Sequence, residues 1–373
     1  MDDIVIRPVS TKRDIRTFIQ FPWKIYADYP AWVPPLLSDR RKIMDKQKNP
    51  FYKHADAEFF IAERDGIIVG RIAAIINYNH NKIHNENVGF WGFFESINDQ
   101  AVATALFETA KNYVKERGAT IFRGPFNPSV NDDLGLLIEG FDLSPAVMMP
   151  YNPPYYIPLV ESYGFHKAKD LYAFSLNQDE VYSEKLERVY QIVKEKGRIS
   201  FRSIDMKHFD EEVERFKRIY NKAWEKNWGA VPMTDEEMDA LAADLKLIVE
   251  PELVIFAEKE GETIGVGLTV PDINIALKYN KHGYLLTGIY HLITKKKKIN
   301  QARILVLGVL PEYLKTGAAA ALFYETAIRS KKLGIYYGEA SWILEDNEPM
   351  VRAAEALNAK ISKRYRIYEM SLM

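Results

Sequence analysis

Residues Ala62–Gly70 read AERDGIIVG, and 195 positions later, without a gap, Ala257–Gly265 read AEKEGETIG. Each copy is an apolar strand, an acidic tight turn closed by Gly66 or Gly261, and a second apolar strand. That is a β-hairpin pattern, and the Asp65-Gly66 pair is its strongest turn signal. A second echo follows: ALFETAKNYVKERG (Ala105–Gly118) against ALFYETAIRSKKLG (Ala321–Gly334), with one residue inserted. In the first of these Val102, Ala105, Leu106, Ala110, Tyr113 and Val114 share one face at helical spacing. Gly118 and Gly334 stand where a helix C-cap belongs. Each helix leads into another apolar strand, ATIFRG (Ala119–Gly124) or IYYGEASWI (Ile335–Ile343).

Both halves therefore spell hairpin, strand, helix, strand, helix, strand. Repetition on this scale makes the half, not the whole chain, the folding unit. The expected fold is α+β: two tandem domains, each a mixed central sheet flanked by helices. The first spans residues 1–178 and the second 198–373. Between them 179–197, within NQDEVYSEKLERVYQIVKEKG, reads as a charged linker helix, solvated and packed across the interdomain surface. The strand RISFRSI (Arg198–Ile204) opens the second half.

Composition narrows the function. The 373 residues suit two or three domains. Fifty Lys and Arg against 51 Asp and Glu leave a net charge of −1, which argues against broad phosphate-backbone binding and a nucleic-acid partner. With no cysteine, disulfides, thiolate catalysis and Cys-ligated metals are excluded; a reducing cytoplasm fits. The N-terminus has no basic-then-apolar export pattern. The most lipid-like run, Tyr284–Ile293, falls well short of the ~20 residues a spanning helix needs.

The sharpest local feature is VLGVLPEYLKTGAAAALF (Val306–Phe323). A strand ends, a Pro-containing turn follows, and Lys315-Thr316-Gly317-Ala318-Ala319 opens an Ala-rich helix. Small residues at a helix start expose free amides and the positive end of the dipole, a cradle for a diphosphate. Gly317 permits close backbone approach and Lys315 adds charge. Close packing alone also explains such a stretch.

In its setting this stretch resembles the CoA-binding core of the GNAT acyltransferase superfamily. That family's turn is Q/R-x-x-G-x-G/A; Gly317 and Ala319 match it, while Leu314 stands at the Gln/Arg position. Asn347, in WILEDNEPMVRAAEALNA, matches the family's Asn that caps the last helix near the cofactor's thiol end. The Tyr usual on that helix, a proton donor to the departing thiolate, is replaced by Ala354. The resemblance implies acyl-CoA or acetyl-CoA as cosubstrate, held by Gly308, Val309, Lys315, Thr316, Gly317, Ala318, Ala319 and Asn347. Amides around Gly308 and Val309 would polarise the thioester carbonyl. In the first half the matching turn, FFESINDQAVATALF (Phe93–Phe107), lacks glycine and carries Glu95 and Asp99, which would repel a pyrophosphate. CoA is therefore expected in the second domain alone.

RGPFNPSVNDDLGLLIEGF (Arg123–Phe141), PDIN (Pro271–Asn274), SWILEDN (Ser341–Asn347) and KRYRIY (Lys363–Tyr368) are similar to a tandem-domain subgroup that includes bacterial ceramide synthases. Its members transfer a fatty acyl group to the amine of a sphingoid base. Asn127, Asn131, Asp132 and Asp133 are then candidate acceptor-binding residues; an Asx-rich turn satisfying its own backbone is the alternative. Amine attack needs a base to remove the ammonium proton. Alternation along a strand puts Glu339 and Ser341 on one face and Trp342 on the other. Glu339 is the first candidate base, Glu345 the second, and Tyr365 a candidate acid. An N-acetyltransferase of a small amine and a non-catalytic acyl-CoA sensor are the rival readings. His80 and His84 sit four apart but lack a third ligand, so no metal site is named. Lys295–Lys298, after an apolar run, suits an anionic membrane, CoA phosphates or plain solvation.

Overall fold

The computed structural model describes residues 3–181, 184–224 and 227–373. It divides into two compact units. The first comprises the chain up to Leu171, together with Ala276–Ile293 and Lys363–Met373; the second comprises Tyr172–Ile275 and Thr294–Ser362.

In the first unit β1 (Ile4–Pro8), β2 (Ala55–Arg64), β3 (Ile67–Asn77) and β4 (Val88–Ser96) are successive antiparallel neighbours. Next, β5 (Ile121–Gly124) lies parallel to β4. Two short strands, β6 (Phe126–Asn127) and β7 (Asp133–Leu134), form their own ladder. After β8 (Leu136–Glu139), β9 (His166–Asn177) carries the chain into the second unit. There the pattern returns: β10 (Ile199–Ser203), β11 (Val254–Lys259), β12 (Glu262–Pro271) and β13 (Gln301–Val309) are antiparallel, with β14 (Tyr337–Leu344) parallel to β13.

The repeat survives in atomic detail. Ala62 pairs with Gly70 and Ala257 with Gly265, and each hairpin shifts register just after that alanine. The glycines share a purpose. A Cβ on Gly70 would lie 2.7 Å from Leu106, and one on Gly265 would lie 3.2 Å from Leu322. Leu106 and Leu322 are repeat equivalents on the helices Gln100–Lys115 and Ala318–Lys332. Only glycine lets each helix settle this close to its sheet.

Two expectations about domain extent give way. The helix Glu184–Glu195 is no linker: Leu186, Tyr190 and Val193 are buried in the second unit's core beside Ala318, Leu322 and Tyr324, and the Tyr190 hydroxyl donates to Glu325. Its charged residues hid an apolar stripe that needed a partner. The last strand, β15 (Lys360–Ser371), passes from Lys363 onward to the first unit. It pairs with β5 (Tyr368 opposite Gly124) and with β8 (Tyr365 opposite Leu137). Tyr368 and Leu372 are buried with Phe122 and Leu159. Arg366 forks onto Asp170 at 2.8 and 3.1 Å, and Arg123 meets Glu369 at 2.9 Å.

Candidate active site

In the second unit, β13 and β14 are paired only where Gln301–Ile304 face Tyr337–Ala340. Both strands run on, to Val309 and Leu344, while Gly308 and Val309 stay paired to Val266 and Gly265 of β12. The parallel strands thus part, leaving one edge of β13 unpaired by β14 beside the turn Pro311–Thr316. Gly317 follows at φ 82°, and the helix Ala318–Lys332 begins with no side-chain cap on its N-cap residue. Thr316 Oγ1 works within the turn, donating to the Tyr313 carbonyl at 2.6 Å and accepting from the Ala318 amide at 3.3 Å. Ala319 and Ala320, both half-buried, present first-turn amides of the kind no intrahelical bond satisfies. Lys315 is exposed beside them, and Leu314 is 61% exposed and uncharged.

Two sequence readings need revision here. The space at Gly317 is used by this chain itself, since a Cβ there would lie 3.1 Å from Val193. Ala354 belongs to the hydrophobic core, a position where a tyrosine would have to displace its neighbours. Asn347 does cap the helix Glu348–Ala356, its side chain accepting from the Met350 amide at 3.3 Å.

Glu339 is 2% exposed and sits directly across the parallel ladder from Arg303. Ser341 Oγ donates to Glu339 Oε1 at 3.1 Å and accepts from Arg303 Nε at 3.0 Å. The Arg303 guanidinium lies 4.8 Å from the centre of the Trp342 ring. A buried carboxylate is thus held by a hydroxyl and backed by a cation at the point where the strands part. Glu345 is half-buried just past β14. Tyr365 is fully buried in the first unit.

The first unit has the same parting of strands and fills it. Pairing of β4 with β5 covers only Val88–Phe90 against Ile121–Arg123. Gly92 lies so close to β6 that a Cβ would fall 1.6 Å from the Phe126 carbonyl oxygen. Phe93 has φ 50° and donates its amide to Asn127 Oδ1 at 2.5 Å. At the helix start Asp99 accepts from the amides of Ala101 (2.8 Å) and Val102 (3.4 Å) and pairs with Arg64 at 2.8 Å. Burial pushes this carboxyl up, but Arg64 and the amides outweigh it and hold it below the usual range.

Glu95 occupies the position that Gly308 holds in the second unit, because Gly70 pairs with Ser96 as Gly265 pairs with Val309. Its carboxylate accepts from Tyr26 (2.8 Å), Tyr156 (2.7 Å) and Arg71 (3.3 Å). Burial is the largest influence on both ions, raising the Glu95 carboxyl and lowering Arg71. These groups border a cavity of about 140 Å³ that also takes in Asn127 and the Arg40–Asp133 ion pair, 3.1 Å apart. Of the four predicted acceptor residues, Asn127 and Asp133 therefore line a cavity. Asp132 and Asn131 instead close a turn on Ser129, at 2.6 and 3.1 Å. The sequence reading missed Arg71, although a cation inside the apolar strand IIVGRIAAII was a visible signal. Tyr26 and Tyr156 gave none, being far from Glu95 along the chain.

No family model matches the chain. Its fold is similar to that of the tandem GNAT protein from the clavulanic acid biosynthesis pathway: the match covers 99% of this chain and 98% of that one, with a TM-score of 0.57 at 11% identity. Repeat, strand parting and helix start together define a tandem GNAT-like fold. The bacterial ceramide synthase of Caulobacter vibrioides (strain NA1000 / CB15N) is 34% identical over 377 residues, covering 99% of this chain and 98% of its own. Protein YghO of Escherichia coli (strain K12) is also 34% identical, over 372 residues and 98% and 95% of the two chains. The chain belongs to the family of the bacterial ceramide synthase.

Proposed function

We propose that this enzyme transfers a long-chain acyl group from CoA to the amine of a long-chain amino alcohol, a sphingoid base. The observation that carries the reading is the parting of β13 from β14 beside a helix that begins without a side-chain cap. That geometry suits a thioester lying along an open strand edge with its phosphates at a helix start. Lys315 and the Ala319 amide would hold the phosphates, with the Ala318 amide already donating to Thr316 Oγ1. Gly308 and Val309 would face the thioester, and Asn347 would fix the last helix nearby. This reading puts the donor in the second unit.

An ammonium has no lone pair, so the acceptor must first lose a proton. Glu339 is the proposed base, with Ser341 and Arg303 positioning its carboxylate. The amine nitrogen then bonds to the thioester carbon, the C–S bond breaks, and the CoA sulfur leaves as a thiolate that takes up a proton. Glu345 remains the second candidate base. Tyr365 remains the candidate acid. In the first unit the cavity bearing Asn127 and the Arg40–Asp133 pair supports a binding role for polar groups of an acceptor. The identity of the family is a second support for a lipid amine.

Mass spectrometry of the purified protein with palmitoyl-CoA and acetyl-CoA, against sphingoid bases and polyamines, tests this directly. The expected product is an N-palmitoyl long-chain base. Glu339→Gln should lower its rate by at least ~100-fold while CoA still binds. Acetylated polyamine as the sole product would remove the lipid assignment. CoA binding with no new amide would make the protein a sensor.

A further inference from the structure

The helix Leu285–Lys295, LLTGIYHLITK, shows an unusual division of labour between its faces. It is fixed to the first unit by small and polar groups. Gly288 is its buried residue; a Cβ there would lie 2.8 Å from Leu36 and 3.1 Å from Asn280. Asn280, itself 2% exposed, donates to the Tyr284 carbonyl at 2.9 Å and accepts from Thr287 at 2.7 Å. Just before the helix, the Gly283 carbonyl accepts from Leu37 at 2.9 Å, and Trp23 donates to the Lys281 carbonyl at 2.7 Å.

The large apolar side chains point elsewhere. Leu286 is 80% exposed, Ile293 72% and Tyr290 61%, with Leu285 and Ile289 exposed as well. At 3.6 residues per turn these five fall within an arc of about 140°. No Asp, Glu, Lys or Arg interrupts Leu285–Thr294, and the chain then runs directly into Lys295-Lys296-Lys297-Lys298. Lys296 meets Glu250 at 3.1 Å yet keeps 75% of its side chain exposed. A contiguous exposed apolar patch on a folded protein marks a contact surface.

We infer that this helix docks on the surface of an anionic phospholipid bilayer, lying in the plane of the interface. Charge complementarity selects that occupant. Apolar side chains backed by four consecutive cations match acyl chains beneath anionic headgroups. The helix is far too short to span, since a spanning helix takes about 20 apolar residues. The inference rests on the helix and the lysine run that follows it, and is independent of which amine is acylated.

Co-sedimentation of the full chain with vesicles tests it. The protein should pellet with vesicles of equal parts phosphatidylcholine and phosphatidylglycerol, and at least tenfold less with phosphatidylcholine alone or in high salt. Leu286→Ser with Ile293→Ser should weaken binding at least tenfold with an unchanged circular dichroism spectrum. Changing all four lysines to Gln should remove the preference for anionic vesicles. Wild type that ignores phosphatidylglycerol vesicles, or a double serine variant that binds them undiminished, would overturn the inference. So would a dimer in size-exclusion chromatography that the serine variant abolishes, because the face would then belong to a second copy.

Discussion

Asp99 and Gly317 open the equivalent helices of two repeated units, and the contrast between them separates two uses of one fold. In the first unit the helix start is closed by its own carboxylate, which accepts two amides and is tied to Arg64. In the second the N-cap residue is a glycine in the left-handed region, which offers no side-chain cap of its own, and Thr316 Oγ1 accepts from the Ala318 amide. The strand ends differ in the same sense: buried Glu95 against bare Gly308. Even the backbone follows, since Asn127 takes the Phe93 amide where the first unit's strands part. One unit has spent its anion-attracting and carbonyl-polarising groups on itself. The other is the unit proposed to keep them for a substrate. A duplicated fold can thus differ at its helix starts and strand ends through a few side chains while keeping the same hairpin register shifts and helix–strand contacts.

The contrast breaks most readily at Glu95. Its removal leaves Arg71 buried with its ionic partner gone, so Glu95→Ala should destabilise the protein by about 3–5 kcal/mol in urea unfolding. Pairing it with Arg71→Met should recover much of that loss, because two apolar groups need no counter-charge. A single variant as stable as wild type would mean that Glu95 is not structural, and the first unit's cleft would return as a candidate site for chemistry.

Much of this division could be read from the chain beforehand, because the repeat is a local signal. Hairpin turns, helix faces and the glycines that close them recur at fixed spacing, and those features set the order of elements in each half. Asp99 was visible as an acid at a helix start, although its work as that helix's N-cap was not read from the sequence. What stayed hidden was long-range. Tyr26, Arg71, Glu95 and Tyr156 lie on four separate elements, and only the folded sheet assembles them. The helix Glu184–Glu195 looked solvated because its charges dominate the composition, while its buried side requires knowing which partner covers it. Strand β15 was assigned by order along the chain, yet pairing with β5 and β8 decided its unit.

Installing the first unit's acid in the second should sharpen the contrast at intermediate size. Gly317→Asp puts a carboxylate at a helix start proposed to receive phosphates. Any side chain there also meets Val193 and a φ of 82°, so Gly317→Ala is the necessary reference. Relative to that reference, the aspartate should weaken acyl-CoA binding at least another tenfold in calorimetry, through like-charge repulsion. Equal losses in the two variants would assign the whole effect to packing and remove the helix start from the donor site.

The reverse change carries the smallest effect. Asp99→Ala strips the cap from the helix Gln100–Lys115 and should lower stability by about 1 kcal/mol, the usual contribution of such a residue. It should leave acyl-CoA affinity in the second unit untouched. Because the folded state holds the Asp99 carboxyl below its ordinary range, its contribution is present above the unfolded pKa of about 4 and fades as the pH falls through the folded value. Wild type and variant should accordingly differ at neutral pH and converge in acid. A second equivalent of acyl-CoA bound by Asp99→Ala would be the more informative surprise, because it would show that one carboxylate is all that keeps the first unit from binding the donor.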